Sequence, residues 1–157
     1  MAYFRLLVVS ENHMTEILSN GDRLPLLLRN HKNSKQQGDV GLALAIAWFA
    51  DNGYRVSIPL TDSQDYDLVV EIDAHFYGVQ VRTTYYKRAP NRGYTVNLRV
   101  MGGNRSGTGK VKYFNPDVVD YLFVVTDTRE KYLIPSREIT SKVSLTLCEK
   151  YEKYRVT

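Results

Sequence analysis

From Gly38 to Tyr54, "GDVGLALAIAWFADNGY", apolar residues recur at helical spacing. Leu42, Ile46 and Phe49 fall on one stripe, with Ala45 and Trp48 beside it. The pattern predicts a helix, and Gly53 after Asn52 supplies its C-terminal stop. Beyond it the period changes to two. "YRVSIPL" sets Tyr54, Val56 and Ile58 on one side of a strand that ends near Pro59. "TDSQD" reads as a turn, "DLVVEID" and "FYGVQVRTTYY" as two further strands, and "GYTVNLRV" as a fourth. "FNPDVV" holds Pro116 at a first helical turn, so a short helix is expected there. "DYLFVVTD" is almost continuously apolar, the pattern of a strand buried on both faces, and "KYLIPS" is its partner. "PSREI" opens a helical turn and "VSLTL" a last strand. Residues 1–33 read as a separate N-terminal extension, with "YFRLLVV" a strand and "ENHMTEIL" a short helix; residues 34–157 form the main domain. This order predicts an α/β sheet domain.

Two of the strands carry candidate chemistry. If the chain reverses at Ala74-His75, Asp73 faces Phe76, Glu71 faces Gly78, Val69 faces Gln80 and Asp67 faces Arg82. Side chains alternate between the faces of a sheet. Asp67, Glu71, Gln80 and Arg82 then share one face, and Leu68, Val70, Ile72, Val79 and Val81 share the other. Opposite β-carbons lie about 5 Å apart, so Asp67, Gln80 and Arg82 can reach one small ligand. The same pattern also suits a half-exposed hairpin with a cross-strand Asp67–Arg82 ion pair.

Charge sharpens this picture. The net charge is only +4, but no Asp or Glu lies between Asp73 and Asp117. That window holds Arg82, Lys87, Arg88, Arg92, Arg99, Arg105, Lys110 and Lys112. Such a block is either a solvated basic face or the footprint of a polyanion. Tyr85, Tyr86, Tyr94 and Tyr113 interleave with the bases, and "MGGNRSGTGK" adds a glycine-rich basic loop. Both features favour sugar-phosphate contact, which needs cations and close backbone approach. The chain's 157 residues are enough for one domain with its own core. A single cysteine, Cys148, excludes an internal disulfide and a Cys-based zinc site. His13, His31 and His75 lack metal-ligand spacing, and a reducing, cytoplasmic setting is expected. No targeting leader and no membrane association are expected; "VGLALAIAWFA" suits a buried helix better than a span.

An Asp, about a dozen residues, then Gln-x-basic on the next strand, all after an Asp-bearing helix, resembles the PD-(D/E)XK nuclease fold. More narrowly, the chain resembles the PD-(D/E)XK homing endonucleases encoded by group I introns. The resemblance lies in the stretch from "KQQGDVGLALAIAWF" to "GVQVRTTYYK", in "VDYLFVVTD" and in "YLIPSREI", and covers roughly residues 35 to 150. It implies a restriction-endonuclease-like core, a mixed central sheet flanked by helices. It also implies metal-dependent cleavage of double-stranded DNA with Mg2+ or Mn2+. By this resemblance Asp67 matches the metal-binding Asp, and Gln80 the Glu/Gln position whose amide oxygen ligates without charge. The main-chain carbonyl of Val81 is a further ligand, and Asp39 is the acid at the start of the helix. Leu42 stands where many relatives carry a Glu. The implied catalytic set is Asp67, Gln80, Arg82 and Asp39.

Arg82 is the main departure, because the resemblance expects a lysine that orients or activates the attacking water. A desolvated lysine can lose a proton; an arginine in effect cannot. Three readings stay open: an enzyme that needs no lysine base, one whose lysine role has moved to Lys87, or a fold that binds DNA without cutting it. A junction resolvase or restriction-type nuclease is a further alternative. Lys87, Arg88, Arg92, Asn97, Arg99, Arg105, Lys110 and Lys112 are the candidate DNA contacts. Cutting both strands needs two active sites, so a homo-oligomer, dimer or tetramer, is expected.

Overall fold

The computed structural model describes residues 33–61, 63–89, 92–101 and 111–157. The strand and helix expected within residues 1–32, and the basic loop with Arg105 and Lys110, lie outside the described residues.

Helix α1 (Ser34–Asp51) begins four residues before the expected Gly38. Its start is set by a cap rather than by the apolar period: the Asn33 side chain accepts a hydrogen bond from the Gln36 N–H at 2.8 Å. Its end follows expectation. Gly53 takes φ +80°, and the N–H groups of Gly53 and Tyr54 donate to the carbonyls of Ala50 (2.9 Å) and Phe49 (3.0 Å), a Schellman motif. The buried stripe is Gly41, Ala45 and Phe49, one position round from the expected one; Leu42 and Ile46 flank it. Gly41 sets this rotation. Its missing side chain lets the helix lie against Thr83 and Val81, and a β-carbon there would overlap the Thr83 methyl. No helix among the described residues is long and apolar enough to cross a membrane.

The central sheet contains β1 (Arg55–Ser57), β2 (Leu68–Ile72), β3 (His75–Thr84), β7 (Tyr121–Thr126), β8 (Lys131–Pro135) and β10 (Arg155–Val156), in the order β1-β2-β3-β7-β8-β10. Among the described strands only β3 and β7 run parallel, so the sheet is mixed. As expected, β7 is buried on both faces: Phe123 and Val125 face α1, and Leu122 and Val124 face a second cluster. That second cluster is closed by a ribbon of β4 (Thr95–Asn97) and β9 (Ser144–Thr146), whose Val96, Leu145 and neighbouring Leu98 and Leu147 are buried. Thus "GYTVNLRV" does not join the central sheet. Its first part pairs with β9, and its last residue opens the short β5 (Val100–Met101), which pairs with β6 (Val111–Lys112). "FNPDVV" forms a turn rather than a helix; the Asn115 carbonyl accepts from Val118 and Val119, and no further turn follows. Ser136–Glu138 forms the expected helical turn as a 3-10 helix. A short helix α2 (Glu149–Glu152) and β10 complete the chain beyond the last strand expected from sequence. Strand β1 is shorter than expected, and Ile58 is 62% exposed beyond its end.

The β2–β3 hairpin turns one residue earlier than expected. Ile72 pairs with His75, and Asp73 (φ 50°) and Ala74 (φ 62°) form the two-residue turn. Two left-handed residues in succession match the right-handed twist of a hairpin. Glu71 therefore faces Phe76, and Val69 faces Gly78. Every pairing is displaced by two residues from the expectation. Because the side-chain period is two, the faces survive: Val79 and Val81 still point to the α1 side, and Gln80 and Arg82 to the other.

Candidate active site

Strand β3 gives the second face of the sheet a polar stripe, Gly78, Gln80, Arg82 and Thr84, beside the apolar Leu122 and Val124 of β7. Asp67 lies one residue before β2, opposite Gln80 once the register is extended. Its N–H donates to the Val79 carbonyl at 2.9 Å. Its carboxylate then continues the ladder in place of a strand: Oδ2 accepts the Val81 N–H at 2.7 Å. Arg82 folds back on the Val81 carbonyl and the Asp67 carboxylate. Its Nη1 donates to the Val81 carbonyl at 2.8 Å and lies 3.6 Å from Asp67 Oδ2. The Arg82 side chain is 20% exposed and that of Asp67 42%. Burial pulls the guanidinium below its ordinary pKa, and the Asp67 charge acts in the opposite direction.

Gln80 is 8% exposed, and its amide is held from one side only. Nε2 donates to the Asp65 carbonyl at 2.8 Å, while Oε1 is buried and accepts no hydrogen bond from the described residues. A buried carbonyl oxygen without a donor loses about 1–3 kcal/mol relative to a satisfied one. Such an orphan acceptor fits a cation ligand. Together with the Asp67 carboxylate and the Val81 carbonyl it could supply an all-oxygen donor set, the chemistry that suits Mg2+ or Mn2+. Among the described residues no group of three or more His, Cys, Asp or Glu is placed to hold a metal. The candidate set drawn from these residues has one carboxylate and two neutral oxygens.

The structure brings Asp67, Gln80, Val81 and Arg82 together. Asp39 stands exposed on α1, and no hydrogen bond or ion pair joins it to them. Glu71, on the same face, is engaged elsewhere: Arg55 Nη1 lies 3.3 Å from both its oxygens. The basic residues disperse. Lys87 sits 4.2 Å over the Tyr94 ring, beyond the end of β3. Arg88 and Arg92 line a cavity of about 570 Å³ that also holds Glu149 and Glu152. Asn97 and Arg99 line a groove of about 510 Å³ with Thr83, Tyr85 and Tyr86, directly downstream of Arg82 on β3. Lys112 pairs with Asp65, next to Gln80. The part played by Asp65 had no sequence signal, because it acts on Gln80 through its main chain.

A model of the PD-(D/E)XK endonuclease family matches residues 32–156. The chain belongs to the PD-(D/E)XK endonuclease family. Among solved structures it is similar to a bacterial homing endonuclease, I-Ssp6803I, with a TM-score of 0.63 and 23% identity over 78% of this chain and 88% of that one. That likeness is one of fold. MepB superposes loosely, with a TM-score of 0.36 and 14% identity over 71% of this chain and 94% of that one. No curated protein matches the chain. Strand β3 carries Gln80 and Arg82 on the face that Asp67 shares. The Asp67 carboxylate lies beside the permanent positive charge of Arg82.

Proposed function

We propose that this PD-(D/E)XK protein is a sequence-specific endonuclease that hydrolyses phosphodiester bonds of double-stranded DNA with a divalent metal, in the manner of a homing endonuclease. Residues 34–157 are its nuclease domain, residues 1–33 an extension, and it works in the cytoplasm as a dimer or tetramer. The observation that carries the reading is the orphan Oε1 of Gln80, on the face of the sheet where the Val81 N–H holds the Asp67 carboxylate. Asp67, Gln80 and the Val81 carbonyl would hold Mg2+ or Mn2+; Asp39, exposed on the helix that packs on the opposite face of the sheet, is left out of this set. When bound, such an ion lowers the pKa of a water and offsets the charge of the phosphate. The protein's own part is positioning. The Val81 N–H fixes the Asp67 carboxylate, and the Asp65 carbonyl fixes the Gln80 amide. Arg82 stays protonated, so it serves as a clamp for a phosphate oxygen rather than as a base. The homing assignment draws on the fold shared with I-Ssp6803I.

The test is cleavage of DNA carrying the cognate site, in Mg2+ and in Mn2+. Wild type cuts and Asp67→Ala does not. A wild type that binds its site and never cuts it would leave the second reading, a DNA-binding protein on a nuclease fold. Arg82 and the neutral Gln80 favour that reading. A strong rise in cutting by Arg82→Lys identifies Arg82 as the impaired position. Preference for four-way junctions over linear duplex would indicate a resolvase instead.

A further inference from the structure

Lys112 lies far from the active site in sequence and against it in space. Its Nζ forms an ion pair with Asp65 and lies 3.5 Å from the carbonyls of both Ser63 and Gln64. One ammonium thus gathers three successive residues of the turn that leads into Asp67. The same turn presents the Asp65 carbonyl to Gln80 Nε2 at 2.8 Å. That bond decides which way the Gln80 amide points. With Nε2 tied to Asp65, Oε1 is the atom left buried and without a donor among the described residues. Among the described residues no other hydrogen bond of the Gln80 side chain holds the amide in this sense.

We propose that Lys112 is a positioning residue: through Asp65 it fixes the orientation of Gln80 and keeps its oxygen presented as a metal ligand. This rests on the metal-dependent nuclease reading and extends it. It also gives one member of the basic block a role other than contact with phosphate. Lys112 belongs to β6, outside the central sheet, so the ligand geometry depends on a strand that β2 and β3 do not touch through backbone pairing. Lys87 cannot do this, since it is held over the Tyr94 ring.

The experiment uses the full chain without DNA and Mn2+ as the probe, followed by calorimetry, with thermal melting as a check of folding. Wild type binds Mn2+ and Asp67→Ala does not. Partners one step removed from a metal typically change its affinity about 10- to 100-fold, and Lys112→Met is expected to lose about 10-fold. Asp65→Asn behaves like Lys112→Met, and Lys112→Arg restores binding to near wild type. In NMR spectra, the Gln80 side-chain amide protons exchange faster with solvent in Lys112→Met than in wild type. Unchanged Mn2+ affinity and amide exchange in a folded Lys112→Met overturn the proposal, leaving the metal reading intact. Loss of DNA affinity alone, with a shallower salt dependence, also overturns it and makes Lys112 a phosphate contact. A wild type that binds no Mn2+ overturns this proposal and the metal-dependent reading together.

Discussion

Asp67→Asn removes the negative charge that faces Arg82 with little change of shape. The asparagine oxygen can still accept the Val81 N–H, which Asp67 binds at 2.7 Å. What is lost is the attraction to Arg82, whose Nη1 lies 3.6 Å from the carboxylate. At that separation two unit charges attract by about 4–5 kcal/mol in an effective dielectric near 20. The Asp67 side chain is 42% exposed, so water screens much of this. Exposed pairs contribute about 0.2–1 kcal/mol, and a pair with one buried partner lies between the limits, at about 1–2 kcal/mol. Arg82, only 20% exposed, is then left as a half-buried cation without its counter-charge. Asp67→Asn should lower the unfolding free energy by about that amount, or the melting temperature by about 3–6 °C in a chain of this size. Urea titration of Asp67→Asn, Arg82→Met and the double variant measures the coupling directly. The sign is the informative part. A metal site built from crowded carboxylates gains stability when one is neutralised. An Asp67→Asn variant as stable as wild type, or a coupling energy near zero, would refute the description of this site as a carboxylate balanced by arginine.

Gly41→Ala puts a methyl into the Thr83 methyl; overpacking of about 1–3 kcal/mol exceeds the gain in helix propensity of about 1 kcal/mol. Its melting temperature should fall, and Thr83→Ser in the same chain should restore it. Burial, the nearby Glu130 charge and the hydrogen bond to Glu152 push the Tyr132 phenol up to about 12. Its folded pKa exceeds the unfolded value near 10, so its stabilisation is complete below about pH 10 and is lost as pH rises towards 12. Melting curves across that window should show a smaller alkaline loss in Tyr132→Phe; an unchanged loss contradicts the assignment. Arg99→Glu, on the groove next to Arg82, should weaken DNA binding and flatten its salt dependence by at least about one unit of slope. Equal affinity and slope would remove that groove from the DNA surface.

The residues that share a face in the candidate site were legible because alternation along β2 and β3 tolerates a two-residue error of register. The turn itself was not. Asp73-Ala74 lacks the glycine that usually marks such a reversal, and nothing in the sequence announces a left-handed alanine. The double burial of β7 could be read from its unbroken apolar run, whereas the pairing of β4 with β9 depends on residues distant in the chain. "FNPDVV" has a good helix start and too few residues before Asp120 to use it. For α1 the period was right and its phase was not, because Gly41, rather than a large apolar residue, makes the closest approach to β3. The hold of Asp65 on Gln80 is a main-chain contact, and side-chain patterns carry no trace of it.

The two-residue turn at Asp73-Ala74 also limits how this gene can change length. Strand β3 is clasped on its other edge by β7, from Val79↔Tyr121 to Thr84↔Thr126, and cannot slide freely. Codons gained or lost in pairs, one on each arm of the hairpin, lengthen or shorten it and leave Gln80 and Arg82 facing Asp67. A single codon gained or lost must be absorbed as a bulge. Otherwise it turns Val79 and Val81 into the site and sends Gln80 and Arg82 beneath α1. Relatives with hairpins of different length should therefore differ by even numbers of residues, or carry a bulge where they do not.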